Sequence, residues 1–215
     1  EDYPNLYVCD TACMGVASPG FFRKYIEYLQ EKECSTLDSL SFRNKRKGWS
    51  NPTVHYQFKN GINRYYSSSS DILYSVFSRR LDLRYSCLDC KYKGTNRLGD
   101  ITIADFWGVR RNYPQLDSEN KGTSLLLVNT SKGRELLETC RKDLFIEKAD
   151  LNLAIKSNPR IVSSAPEPKE RKSFLIDSNE LSINQLRNKY KIYPPTLWKR
   201  IKKKIIINLA KYIKG

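Results

Sequence analysis

Apolar spacing switches repeatedly between a helix-like and a strand-like period along this chain, and that alternation constrains its fold more than any other feature. In Phe21-Phe22-x-x-Tyr25-Ile26-x-x-Leu29 apolar residues recur at helical spacing. Ser18 precedes them as N-cap and Pro19 as first helical residue, so a helix is predicted to about Glu33. Residues 39–44 and 53–58 read as strands, and Lys59-Asn60-Gly61 turns the second back through 62–66 as a hairpin. The serines and Asp71 that follow supply a loop and cap for a helix over 72–81. Residues 100–106 and 125–129 read as further strands, with Thr130 capping a helix over 132–141, and residues 6–9 read as a short buried strand. The alternation predicts an α/β or α+β fold, a mixed β-sheet with packed helices.

The chain has 215 residues, 40% hydrophobic and 28% charged, which allows one main domain plus a tail and places it among soluble globular proteins. No apolar run approaches a bilayer span. Lys and Arg exceed Asp and Glu to give a net charge of +15, and seven of those bases stand in residues 196–215, which hold no acid. The rest is only moderately basic, so no nucleic-acid partner is expected. Residues 163–172, rich in Ser, Pro, Glu and Lys, read as a linker with two helices after it. In the last, Leu197, Ile201, Ile205, Leu209 and Ile213 form one apolar face. That face fits a helix docked on its own protein, or one on a membrane surface or partner. The chain opens at Glu1 and enters Tyr3-Pro4-Asn5-Leu6-Tyr7-Val8, which reads as the interior of a longer protein. Without a signal peptide, the cysteines read as those of a reducing cytoplasm, where metal ligation outweighs disulfides.

Four of the six cysteines form close pairs, Cys9-x-x-x-Cys13 and Cys87-x-x-Cys90. Two thiolates on one turn can reach a metal or cluster, and a second pair can complete a four-sulfur site. Spacing chooses neither zinc nor iron–sulfur. Cys34 and Cys140 stand alone and read as core or surface residues. The single histidine, His55, lies on an alternating strand and reads as structural, which leaves Ser–His–Asp, Cys–His and multi-histidine chemistry without a basis. The densest stretch runs from Arg97 to Gly108. Alternation there sets Ile101 and Ile103 on one face and Asp100, Thr102 and Ala104 on the other. Asp105, beside Trp107 and Gly108, either binds a polar ligand or caps its own strand. Lys121-Gly122-Thr123-Ser124 offers an ammonium, a glycine and two hydroxyls to a phosphate, a common pattern.

These stretches, in this order, resemble the coenzyme F420 hydrogenase/dehydrogenase beta-subunit family. Cys9-Asp-Thr-Ala-Cys13-Met-Gly15-Val-Ala-Ser18-Pro19 is similar to its C-D-x-V-C-H-G-V-P-S-P segment, and Ser39 to Trp49 to S-F-R-D-K-x-x-G-W. Arg84 to Lys93 resembles R-P-S-C-x-x-C-x-x-K, Arg97 to Gly108 resembles R-x-x-D-I-T-x-G-D-F-W-G, and Lys121 to Thr130 closes the series. The resemblance implies a family-like domain over residues 1–160, missing its upstream part, followed by a linker and basic helical tail over 161–215. It implies an iron–sulfur flavoprotein that passes electrons between FAD, a [4Fe-4S] cluster and a deazaflavin or other carrier, with an electron-carrier protein or small redox molecule as partner. Cys13, Cys87 and Cys90 are its expected cluster ligands, with Cys9 or an upstream cysteine as fourth. Arg97, Asp100, Asp105, Lys121 and Ser124 are expected nearest flavin or carrier. A link to polysaccharide synthesis and a cytoplasmic place, peripheral at the inner membrane face through the tail, also follow from the resemblance. Met14 stands where the family has histidine, Ala17 and Tyr85 where it has prolines, and Ala104 where it has glycine. The competing expectation is a redox-inert zinc or partner-binding module.

Overall fold

The computed structural model describes residues 3–193. In chain order they form β1 (Cys9–Thr11), α1 (Pro19–Glu33), β2 (Leu37–Asn44), β3 (Thr53–Phe58), β4 (Asn63–Ser67), α2 (Ile72–Ser78), α3 (Tyr85–Leu88) and β5 (Ile101–Asp105). There follow α4 (Val109–Asn112), β6 (Ser124–Val128), α5 (Ser131–Cys140), α6 (Leu151–Ser157), α7 (Arg171–Glu180) and α8 (Ile183–Lys189). This is the mixed α/β architecture that the alternating periods predict. The described residues group into two compact units interleaved along the chain, one of 3–17, 48–50 and 83–167, the other of 18–47, 51–82 and 168–193. The predicted basic helix over 197–213 lies outside the described residues.

The second unit is built on the antiparallel sheet β2-β3-β4. The central strand β3 buries Val54, Tyr56 and Phe58 on one face, as a period of two requires, against Phe21, Tyr25 and Leu29 from the apolar stripe of α1. Phe174, Ile183, Leu186 and Tyr190 of the α7–α8 region join that core. Helix α1 starts at Ser18 and Pro19 as predicted and stops where Cys34 turns left-handed at φ 48°. Asp71 caps α2, its Oδ1 accepting the Tyr74 N–H at 2.8 Å, while its Oδ2 accepts the Tyr56 and Tyr25 hydroxyls at 3.0 and 3.2 Å. A buried carboxylate thus has three donors, the condition for burying a charge at tolerable cost. His55 stacks on Tyr65 and its Nε2 meets Asn63 Oδ1 at 2.7 Å, a structural role.

The first unit carries the sheet β1-β5-β6, with β1 parallel and β6 antiparallel to β5. Its strand β1 begins at Cys9, where the apolar pattern predicts one ending there, and Leu6 and Val8 are exposed. The partner decides this: the Val8 carbonyl accepts the Asp100 and Ile101 N–H groups, and regular pairing with β5 starts one residue later. In β5 the polar-looking face is buried, and so is Ile101 on the other. Thr102 and Ala104 are buried, whereas Ile103 is 41% exposed. Phe106, Val109, Leu125, Ala154 and Ile161 complete this smaller core. Thr130 caps α5 as predicted, its Oγ1 accepting the Gly133 N–H at 3.0 Å. Helix α3, between α2 and β5, carries Cys87.

Candidate functional site

Two groups of predicted residues occupy different parts of the first unit. The first is sulfur-rich. After β1 the chain passes through Cys13 to Gly15, whose φ is +151°, a conformation that side chains rarely adopt. A Cβ at Gly15 would stand 3.0 Å from Cys87 Cβ, and the Val16 N–H donates to Cys87 Sγ at 3.3 Å. The Cys13 loop is therefore held against the helix that carries Cys87, although 74 positions separate the two cysteines in sequence. Three residues past Cys90, Lys93 Nζ donates to the Cys13 carbonyl at 2.6 Å and to the Arg160 carbonyl at 2.9 Å. The Cys90 N–H donates to Ser164 Oγ at 2.8 Å. Burial pushes the Lys93 ammonium below the ordinary lysine value, the Cys13 and Cys90 thiols draw it back up, and Arg97 and Arg160 push it further down.

Of the predicted cysteines, Cys13, Cys87 and Cys90 thus share one neighbourhood. Cys9 is exposed on β1, its Sγ 3.8 Å from the Asp10 carbonyl, and takes no part in the contacts that join the other three. No three His, Cys, Asp or Glu side chains among the described residues form a group that could hold a single metal ion. A cluster asks for something different, because each ligand binds its own iron. Three thiols, one of them already accepting a backbone N–H, beside cationic side chains, fit such an anionic thiolate-ligated group in their chemistry. Arg97 borders this region. It is buried and donates to Asp10 Oδ1 at 3.2 Å and to the Ile161 carbonyl at 3.0 Å, while its Nε has no partner.

The second group lies at the C-terminal end of β5. Asp105 pairs in register with Ser124, and its Oδ1 accepts the Trp49 indole N–H at 3.2 Å. Trp49 belongs to the short 48–50 segment of this unit, and its backbone N–H donates to the Asn120 carbonyl at 2.7 Å. Gly122 makes this approach possible: with φ at +87°, it leaves the space where a Cβ would meet the indole at 2.4 Å. The same loop is tied down by Asp117, whose Oδ1 accepts the Gly122 N–H at 2.8 Å, and by Thr123, whose hydroxyl donates to the Leu116 carbonyl at 2.6 Å. Two of the four predicted phosphate-loop residues are thereby engaged inside the protein. Lys121 pairs with Glu119 at 2.5 Å, and Ser124 is exposed.

Among the described residues strand β6 is one edge of its sheet. Bonds from Phe106 to Thr123 and from Asn129 to Asp100 set the alternation, so Ser124, Leu126 and Val128 turn their N–H and C=O groups away from β5. Beside them lies a cavity of about 660 Å³ lined by Ile103, Phe106, Leu126, Leu137 and Ile146 among others. This is a size and polarity usual for small-molecule sites. Asp100 stands at the opposite end of β5, where its carboxylate accepts the Val8 N–H at 2.9 Å and the Thr130 hydroxyl at 2.6 Å. Those two bonds hold its carboxyl below the ordinary range.

Trp49 and Lys93 both fall within motifs that the sequence displays, yet sequence reasoning assigns neither a site role. Only the fold brings the indole 56 positions along the chain to Asp105, or shows that Lys93 closes on the Cys13 loop.

The family described as the C terminus of the coenzyme F420 hydrogenase/dehydrogenase beta subunit matches residues 2–153. No curated protein and no solved structure matches the chain. The family match covers more than half of the 215 residues and contains both groups just described. The chain therefore belongs to the coenzyme F420 hydrogenase/dehydrogenase beta-subunit family, and residues 2–153 form a redox domain of its C-terminal type.

Proposed function

We propose that this chain is the cluster-bearing part of an iron–sulfur flavoprotein oxidoreductase that passes electrons between FAD, a [4Fe-4S] cluster and a deazaflavin or other carrier. The observation that carries the proposal is that the Cys13 loop meets both Cys87, through Gly15 and the Val16 N–H, and Lys93, on which the Cys13 and Cys90 thiols act. In this reading Cys13, Cys87 and Cys90 hold the cluster, and Cys9 or a cysteine of another segment supplies the fourth sulfur. A bound cluster supplies one-electron steps and a flavin converts them to hydride equivalents. The protein's own part is to hold, orient and shield. The Val16 N–H donates to the Cys87 sulfur, and Lys93 pins the Cys13 loop.

We place the flat ring of flavin or deazaflavin at the apolar cavity along β6. There the outward N–H groups of Ser124, Leu126 and Val128 can meet a ring's polar edge, and Asp105 and Lys121 stand near one end. Arg97 and Asp100 act in this scheme through the segments they fasten, β1 and the 161 loop for Arg97 and the start of α5 for Asp100. A beta subunit works within a redox complex, so an electron-carrier protein is the partner we propose, with the basic 196–215 segment available for a membrane face or for that partner. A place beside polysaccharide synthesis rests on the family resemblance alone.

The test is anaerobic purification followed by metal, acid-labile sulfide and flavin analysis. Equimolar iron and sulfide with a broad brown visible absorption is the expected result. Stoichiometric zinc in a colourless protein overturns the proposal and favours the redox-inert module.

A further inference from the structure

Among the described residues Lys93 is a partly buried ammonium whose hydrogen bonds go only to two carbonyls, of Cys13 and Arg160. No carboxylate is paired with it. The groups that act on it are Arg97 and Arg160, both cations, and the Cys13 and Cys90 thiols. Arg97 pairs with Asp10, and the Arg160 guanidinium donates to the Ser164 carbonyl and Ser163 Oγ. A desolvated cation without an acid is costly unless an anion joins it.

We infer that Lys93 is the positioning and charge-compensating residue of the proposed cluster, and that its ammonium raises the cluster's reduction potential. The inference rests on the cluster reading above and adds a role that cysteine spacing does not contain. One-electron reduction adds a negative charge to an already anionic thiolate-ligated group. A fixed ammonium nearby stabilises the reduced state more than the oxidised one. Removing the positive charge therefore favours the oxidised state.

The experiment uses the full chain purified without oxygen and titrated with dithionite and mediators, with the reduced state followed by electron paramagnetic resonance. Lys93→Gln keeps an amide donor for the two carbonyls and removes the charge, whereas Lys93→Arg keeps the charge. We expect Lys93→Gln to retain iron and sulfide while its reduced-to-oxidised ratio at fixed potential falls at least tenfold, about 59 mV for a one-electron couple. Lys93→Arg should restore most of that shift. Loss of the cluster in Lys93→Gln with retention in Lys93→Arg also supports the inference, because charge is then what assembly needs. An intact cluster with unchanged potential in Lys93→Gln overturns it. So does loss of the cluster in both variants, which would make Lys93 a steric pin. If the unmutated protein contains no iron or sulfide, the cluster reading falls and this inference falls with it.

Discussion

Asp82 has no exposed surface, and both of its carboxylate oxygens lack a hydrogen-bond partner in the structure. Its backbone carbonyl accepts the Ser18 N–H at the start of α1, which fixes the residue in place. Burial pushes the carboxyl from the ordinary 3.8 up to about 7, opposed by its own backbone N–H and by Arg171, which is also buried. The folded state then holds the proton more tightly than the unfolded chain. The stabilisation is complete below the unfolded value of 3.8 and is lost as pH rises toward about 7. A shift of roughly three units corresponds to about 4 kcal/mol at most, and structural relaxation lowers this to about 2 kcal/mol in practice. Asp82→Asn cannot ionise. In urea unfolding followed by circular dichroism, the variant should be about 2 kcal/mol more stable than the parent at pH ~8, close to it at pH ~4, and flatter between. A variant that is destabilised at the higher pH and keeps the parent's slope would refute the argument. Asp82 would then be an ion-paired partner of Arg171, and the pH dependence would originate elsewhere.

Asp71→Ala removes the cap of α2 and leaves the Tyr25 and Tyr56 hydroxyls buried without an acceptor, so it should cost about 3 kcal/mol or more in the same assay. Tyr25→Phe, which deletes one donor of the three, should cost only about 1 kcal/mol. Gly122→Ala puts a side chain where the Trp49 indole sits, at a left-handed φ, and should cost about 2 kcal/mol. It should also red-shift tryptophan emission, and Trp49→Phe should abolish that difference. Gly15→Ala crowds Cys87 and should lower the iron content of the purified protein with little change in far-ultraviolet circular dichroism.

The elements whose signals are local were legible before the fold. Ser18-Pro19 followed by an apolar stripe defined α1 to its last residue, Thr130 capped α5, and the Lys59-Asn60-Gly61 turn marked the β3–β4 hairpin. Features decided by a distant partner were not legible. The start of β1 depends on the Val8 carbonyl meeting Asp100 and Ile101, and only the fold shows that Thr102 is buried while Ile103 is exposed. Likewise, Cys87 and Cys90 were visible as a spaced pair, but that Gly15 and Val16 close on Cys87 depends on packing between segments some 70 residues apart. The 121–124 loop looked free to bind phosphate because sequence cannot show that Asp117 and Leu116 already take two of its donors.

The cluster assignment is tested without intermediaries by electron paramagnetic resonance of the anaerobically purified, dithionite-reduced chain beside its Cys87→Ser and Cys90→Ser variants. A reduced iron–sulfur signal is expected in the parent and should be lost or markedly altered in each variant, with iron content falling in step. A signal and iron content unchanged by both substitutions, or no iron–sulfur signal in the parent, would contradict the assignment.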